Sequence, residues 1–212
     1  MANSDKPAGL KPVKYMNGTP WNGAVRMYYK SAASNAIYKG SPVKLGGSAD
    51  AAGKTASLDI SSASAPILGV AVGFSNNRNQ VLDPTNLERD YCPASTAMYI
   101  AVVDDPNVIF EVQEDNGSSA HMQAADVGQM IALASTSGGS TTTGLSAAEI
   151  DSDGNASNTA SHTAQLQVLG VVDREDNEFG SSADSTKWLV RIADHAYAIG
   201  NQNTSAIYTV GA

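Results

Sequence analysis

A single cysteine, Cys92, stands in 212 residues, so neither an internal disulfide nor a cysteine-rich zinc site is available. Aromatic residues are 6% of the chain and charged residues 16%, the latter well under the roughly 25% of an average soluble protein. A helical bundle needs Leu, Glu and Lys at helical spacing. Here Ser, Thr, Ala, Gly and Asn fill the gaps instead, a composition that suits short, tightly turned strands. No stretch approaches the roughly 18 to 20 apolar residues of a membrane-spanning helix. The opening residues Met1 to Pro7 lack the apolar centre of a secretory signal. The expectation is a protein made in a cytoplasm, with no membrane partner and enough length to bury a real core.

Catalytic patterns are scarce as well. There is no G-x-S-x-G, and His121, His162 and His195 show no H-x-x-x-H or H-E-x-x-H spacing. His195 follows Asp194, but neighbours in a strand point to opposite faces and form no natural dyad. Cys92, between Tyr91 and Pro93, is expected to be a buried and inert thiol. Glu111, Glu114 and Asp115 have the makings of a carboxylate pair, yet acids at a strand end ordinarily keep the edge soluble. The nearest approach to a calcium loop is Glu149, Asp151 and Asp153 before Gly154. It lacks a bidentate Glu at its twelfth position, which is Ala160. No enzyme activity, cofactor or metal is expected.

What the chain does have is a pattern used twice. Gly40, Val43 and Leu45 spell G-x-x-[VI]-x-L, and so do Gly128, Ile131 and Leu133. Each is followed by a polar excursion and a returning phrase, Ile67-Leu-Gly-Val70 in one case and Val168-Leu-Gly-Val171 in the other. A turn glycine, a strand, an excursion and a return with a mid-strand glycine describe one small β unit. The glycine in each return predicts a bulge or a close backbone approach. The fold class expected is all-β: a compact barrel or sandwich built from related units at 37–72 and 128–172, with only a few short helical turns.

Around those units, residues 1–23 hold too many Gly and Pro for a helix or a continuous strand, but Leu10, Val13, Tyr15, Met16 and Trp21 argue against a floppy tail. An extended arm lying on another surface is expected, with residues 24–212 as the β body. Strands are expected at Ala24–Tyr29 and Trp188–Ile192. Ala97–Val103 and Val108–Gln113 read as a hairpin closed by the Asp104-Asp-Pro-Asn107 turn. A short helix is expected within 119–127, capped at Gly128. Residues 135–164 read as an exposed, mobile excursion with a helical turn at 147–150, and Ser205–Val210 as a final strand expected to pair at a sheet edge or across subunits.

The net charge of −8 conceals an asymmetry. Residues 1–54 carry Lys6, Lys11, Lys14, Arg26, Lys30, Lys39, Lys44 and Lys54 against Asp5 and Asp50, and acids dominate the remainder. The bases are scattered and the body would repel phosphate, so nucleic acid is not the expected partner. An acidic protein surface, or the body of a neighbouring copy, is.

Several phrases together resemble the head decoration, or cement, proteins of tailed bacteriophages. They are Lys11-Pro-Val-Lys14, Asn17-Gly-Thr-Pro-Trp-Asn-Gly23 before a Tyr28-Tyr29 strand, Tyr38 to Leu45, and Pro66 to Val72. That resemblance implies a non-enzymatic β protein, a homo-oligomer and often a trimer, located in the virion on the outer capsid surface. It would bridge neighbouring copies of the major capsid protein. The interface residues it suggests here are Lys6, Lys11, Lys14, Tyr15, Trp21 and Arg26, with Tyr28 and Tyr29 as further anchors or core. A carbohydrate-binding tail or fibre adhesin and a virion-associated hydrolase are the alternatives.

Overall fold

The computed structural model describes residues 3–62, 65–79, 89–116, 121–152, 164–180 and 184–197. Among these the chain is nearly all β, its helix limited to one 3-10 turn at Ala124–Asp126 inside the stretch expected to be helical. Strands are β1 Lys11–Tyr15, β2 Arg26–Lys30, β3 Ile37–Tyr38, β4 Pro42–Ala49, β5 Ala56–Ile60, β6 Gly69–Ser75 and β7 Tyr91–Cys92. They continue with β8 Met98–Val103, β9 Val108–Gln113, β10 Met130–Ile131, β11 Leu133–Ser135, β12 Glu149–Ile150, β13 Leu166–Val171 and β14 Lys187–Ile192.

Five strands close a barrel in the order β2-β5-β4-β6-β8, antiparallel throughout except where β2 meets β5. The second half of the chain repeats this plan. β9 pairs β14, β14 pairs β13 and β13 pairs β10, all antiparallel. After Ala132 the strand resumes as β11, which pairs β12 antiparallel. A parallel bridge from Ile150 to Glu114, just past β9, returns the circuit to its start. The first and last strands pair in both halves, and the one parallel contact falls between the first and third. β1 then adds to the outer edge of β9.

The registers make the equivalence specific. The motif residues Val43 and Ile131 are partnered by Gly69 and Leu166, and Leu45 and Leu133 by Leu58 and Ile150. The bulge of β6, between Ala71 and Gly73, recurs in β13 between Val168 and Gly170. The first phrase of the sequence repeat is therefore aligned as expected, while the second is four residues out: Gly170 corresponds to Gly73, not to Gly69. Both turn glycines adopt left-handed backbone, φ 89° at Gly40 and 92° at Gly128, where a Cβ would strain the chain. Gly69 and Gly170 also have separate reasons to be glycine-like. A Cβ at Gly69 would collide with the Val103 carbonyl, whereas Gly170 adjoins the bulge.

Side-chain alternation assigns the cores. In β14, Trp188, Val190 and Ile192 point inward and their neighbours are half-buried. β6 and β8 look different because both their faces are covered. Ala71, Phe74, Ile100 and Val102 fill the first barrel, while Val70 and Val103 join the core of the second. Strands buried on both faces read as continuous apolar runs, and Met98–Val103 is one.

Three expectations need correction. Ala97–Val103 and Val108–Gln113 do not form a hairpin: β8 pairs β2 and β6, β9 pairs β1 and β14, and Asp104–Asn107 links the two barrels. The turn chemistry was read correctly, with Asn107 N–H on the Asp105 carboxylate at 2.8 Å, but a turn does not oblige its flanks to pair. Nor is the described part of the excursion, up to Ser152, a free loop. Lys39 bridges Leu145 in parallel, Gly139 abuts the Tyr38 ring, and Gly144, Ser146 and Ala148 are buried. Its expected helical turn at 147–150 is instead the strand β12. Residues 153–163 of that excursion, His162 among them, and the expected Ser205–Val210 strand lie outside the described residues.

Candidate functional site

The arm is extended, as expected, and the surface it lies on is the chain's own second barrel. β1 hydrogen-bonds along β9, with a register shift between Pro12 and Lys14 that leaves Val13 outside the ladder. Residues 19–21 fold back over it: Tyr15 N–H donates to the Thr19 carbonyl at 2.8 Å and Trp21 N–H to that of Val13 at 3.0 Å. Leu10 is wholly buried in the second core, and its N–H donates to the Gly40 carbonyl of the first barrel at 2.9 Å. Gly9, φ 68°, crosses so close to Gly40 and Ser146 that a Cβ there would clash with both. Three segments meet at this crossing, which fixes the direction in which the arm leaves it.

The six residues expected at an interface divide accordingly. Lys6 and Lys11 are exposed and Lys14 half-buried. Tyr15 is half-buried against the second core, and its hydroxyl donates to the Asn22 carboxamide oxygen at 2.8 Å. Trp21 packs on the same core, with its indole N–H buried and lacking an acceptor. Arg26 is exposed, and its guanidinium lies 3.2 Å from Asp104 and 5.8 Å from the centre of the Tyr197 ring. Tyr28 is core, as one of the two readings had it, donating to Asp104 at 2.7 Å; burial foremost pushes its pKa up. Tyr29 is half-buried, tilted against Tyr99 at 5.5 Å.

The outward side chains of the arm include Lys6, Lys11, Val13 and Met16, with Val13 and Met16 among the large apolar side chains most exposed in the described residues. Sequence reasoning named Val13 and Met16 as apolar but not as the outward pair. The bulge at Val13 decides which side chain faces out, and composition carries no sign of it.

Beside the arm lies a groove of about 680 Å³, floored by Leu10, Trp21, Val25, Val72 and Leu145 and edged by Lys11 and Lys39. The groove escaped sequence reading because its walls come from five separated segments.

The remaining candidates are placed as follows. Cys92 is fully buried and burial pushes its thiol pKa up, which leaves little thiolate to react. His195 is buried with its pKa lowered by burial, and its Nδ1 accepts the Tyr197 N–H at 3.0 Å. Glu114 is a buried carboxylate that accepts from the N–H groups of Met122 and Thr186 and the Trp188 indole at 3.2–3.3 Å; burial raises its pKa. Glu149 accepts from the Gln113 carboxamide at 3.0 Å, and that carboxamide also donates to Asp5 of the arm at 3.1 Å. Burial first, then Asp5 and Asp115, push Glu149 up to about 7. Asp153 and Gly154 of the calcium-like stretch lie outside the described residues.

Comparison with protein-family models, with curated proteins and with solved structures found no match to this chain.

Proposed function

We propose that this protein is a structural component of a virion, binding the outer surface of a tailed-phage capsid and cementing neighbouring major capsid protein subunits. The observation that carries the reading is the set of exposed side chains Lys6, Lys11, Val13 and Met16, borne on strand β1 and the residues flanking it, on a molecule of net charge −8. A pre-ordered strand spares the entropy of ordering a tail when it binds. Lysines around exposed apolar side chains suit an acidic protein surface with apolar sockets. Two barrels joined through interlocking cores supply a stiff body, which a bridging role requires. The motif resemblance to decoration proteins points the same way and adds homo-oligomerisation, often as a trimer.

Co-sedimentation with empty phage shells across a salt series tests this. Attachment should weaken as salt rises, because exposed charges are screened with a Debye length of about 8 Å at physiological ionic strength. Replacing Lys6, Lys11 and Lys14 together by Ala should slow capture, and Met16→Ala should speed release. Failure of the intact chain to sediment with shells, or binding indifferent to all of these changes, would refute the cement reading.

A further inference from the structure

The groove beside the arm and the loop between β13 and β14 are chemically complementary. The groove has an apolar floor, and its lining includes lysines but no acid. In the loop between β13 and β14, Asp173, Glu175, Asp176 and Glu178 precede Phe179. Phe179 is 44% exposed, its ring set edge-on to Trp188 at 5.5 Å. The loop's one base, Arg174, is taken up by Asp176 and Glu111 at 3.1 and 3.0 Å, so the loop stays net acidic. An exposed aromatic side chain on an acidic loop is what a groove with apolar walls and lysines in its lining would take. A volume of about 680 Å³ is ample for one phenyl ring and the backbone that carries it.

We propose that the groove edged by Lys11 and Lys39 is a self-association site that receives the acidic Asp173–Phe179 loop of a second copy of this chain. The lysines meet the carboxylates at the rim, where they guide encounter and orientation, and Phe179 enters the apolar floor as the anchor. Groove and loop are different surfaces, so each copy offers one donor and one acceptor. The contact either pairs two copies reciprocally or closes a ring. This does not rest on the capsid reading, since it concerns the purified protein alone.

Charge reversal followed by mixing tests the proposal, read by sedimentation velocity over a concentration series at low and physiological salt. The unaltered protein associates, and more tightly at low salt. K11E/K39E opposes the loop with a negative rim, and D173K/E175K opposes the groove with a positive loop. Each variant alone is weakened by about tenfold or more. An equal mixture of the two recovers association, because both cross-pairings are again of opposite charge. F179A weakens association without changing its salt dependence. The four charge-reversed positions are exposed, so circular dichroism and thermal melts of those variants should match the unaltered protein. An unaltered chain that stays monomeric overturns the proposal. So does association untouched by either reversal. Loss in both variants without recovery on mixing also overturns it, because the groove and loop would then have other partners.

Discussion

Lys30 and Glu114 occupy the same position in the two barrels and carry opposite charge. Leu58, opposite the motif leucine Leu45, lies beside Lys30 across the parallel contact of the first barrel. Ile150, opposite Leu133, lies beside Glu114 across that of the second. Both side chains are fully buried. The Lys30 ammonium donates to the carbonyls of Ser31, Ser34, Pro93 and Thr96 at 3.0–3.4 Å, tying together the two loops at that end. Glu114 does the converse and gathers N–H groups from the segment before the 3-10 turn and from the start of β14. The same structural task, closing a barrel end over irregular backbone, is met by a cation where the loops present C=O and by an anion where they present N–H.

Neutralising either ion leaves its backbone partners buried and short of a counterpart. Lys30→Met keeps most of the volume but strands up to four carbonyls, and about 3 kcal/mol of destabilisation is expected. Glu114→Gln keeps the shape but turns an amide donor toward N–H groups, with an expected cost of about 2 kcal/mol. Urea unfolding at neutral pH measures both. A Lys30→Met protein as stable as the parent would show that the carbonyls are satisfied without it.

Glu149 makes stability depend on pH in an unusual direction. Its folded-state pKa lies near 7, above its ordinary 4.5, so the folded protein holds a proton that the unfolded chain has lost. Stability is therefore greatest below about 4.5 as far as this group is concerned, and falls as pH rises through about 7. Glu114, also raised by burial, contributes with the same sign. Allowing for solvent screening of the half-buried Glu149, the loss is on the order of 1 kcal/mol. Glu149→Gln should flatten the slope between pH 5 and pH 7.5 in urea melts. It should also loosen Asp5 less at high pH, seen as slower hydrogen exchange at Lys6 N–H, which donates to the Gln113 carboxamide oxygen. An unchanged slope would remove Glu149 as its source.

The β class and the duplicated unit were legible because they rest on local signals. Turn glycines at Gly40 and Gly128 have to adopt left-handed backbone, and Val43 and Ile131 have to alternate. The boundary between barrels was not legible: a turn at Asp104–Asn107 reads alike whether its flanks pair or separate, and only distant strands decide. The four-residue slip in the return phrase has a similar origin. Leu-Gly-Val occurs in both returns, but register is set by the bulges at Ala71–Gly73 and Val168–Gly170, which the local pattern does not encode. The pairing of Arg26 with Asp104 was not legible either, since a basic residue near an arm gives no hint of which acid the fold sets beside it.

Trp21 separates packing from hydrogen bonding. Its ring lies on the second core, yet its buried N–H lacks an acceptor. Trp21→Phe removes the unsatisfied donor and keeps most of the apolar contact, so stability should change by less than about 1 kcal/mol. Trp21→Ala gives up the packing and should cost about 2 kcal/mol. Chemical denaturation followed through Trp188, the other tryptophan, reports both variants. Equal losses in the two would mean that the indole nitrogen has a partner after all.

Removing the arm should damage the fold as well as any binding it supports. β1 covers the outer edge of β9, and Leu10 fills the second core while its N–H holds the first barrel's Gly40 carbonyl. Leu10→Ala alone should cost about 2 to 5 kcal/mol, the range for deleting a buried leucine side chain. Deleting residues 2–22 forfeits that burial and five residues of strand, and it exposes a central strand edge to other chains. A truncated protein should melt lower and aggregate, as read by differential scanning calorimetry and light scattering. Should it melt with the parent and remain dispersed, β1 contributes nothing to the body, and the arm is a separable tail.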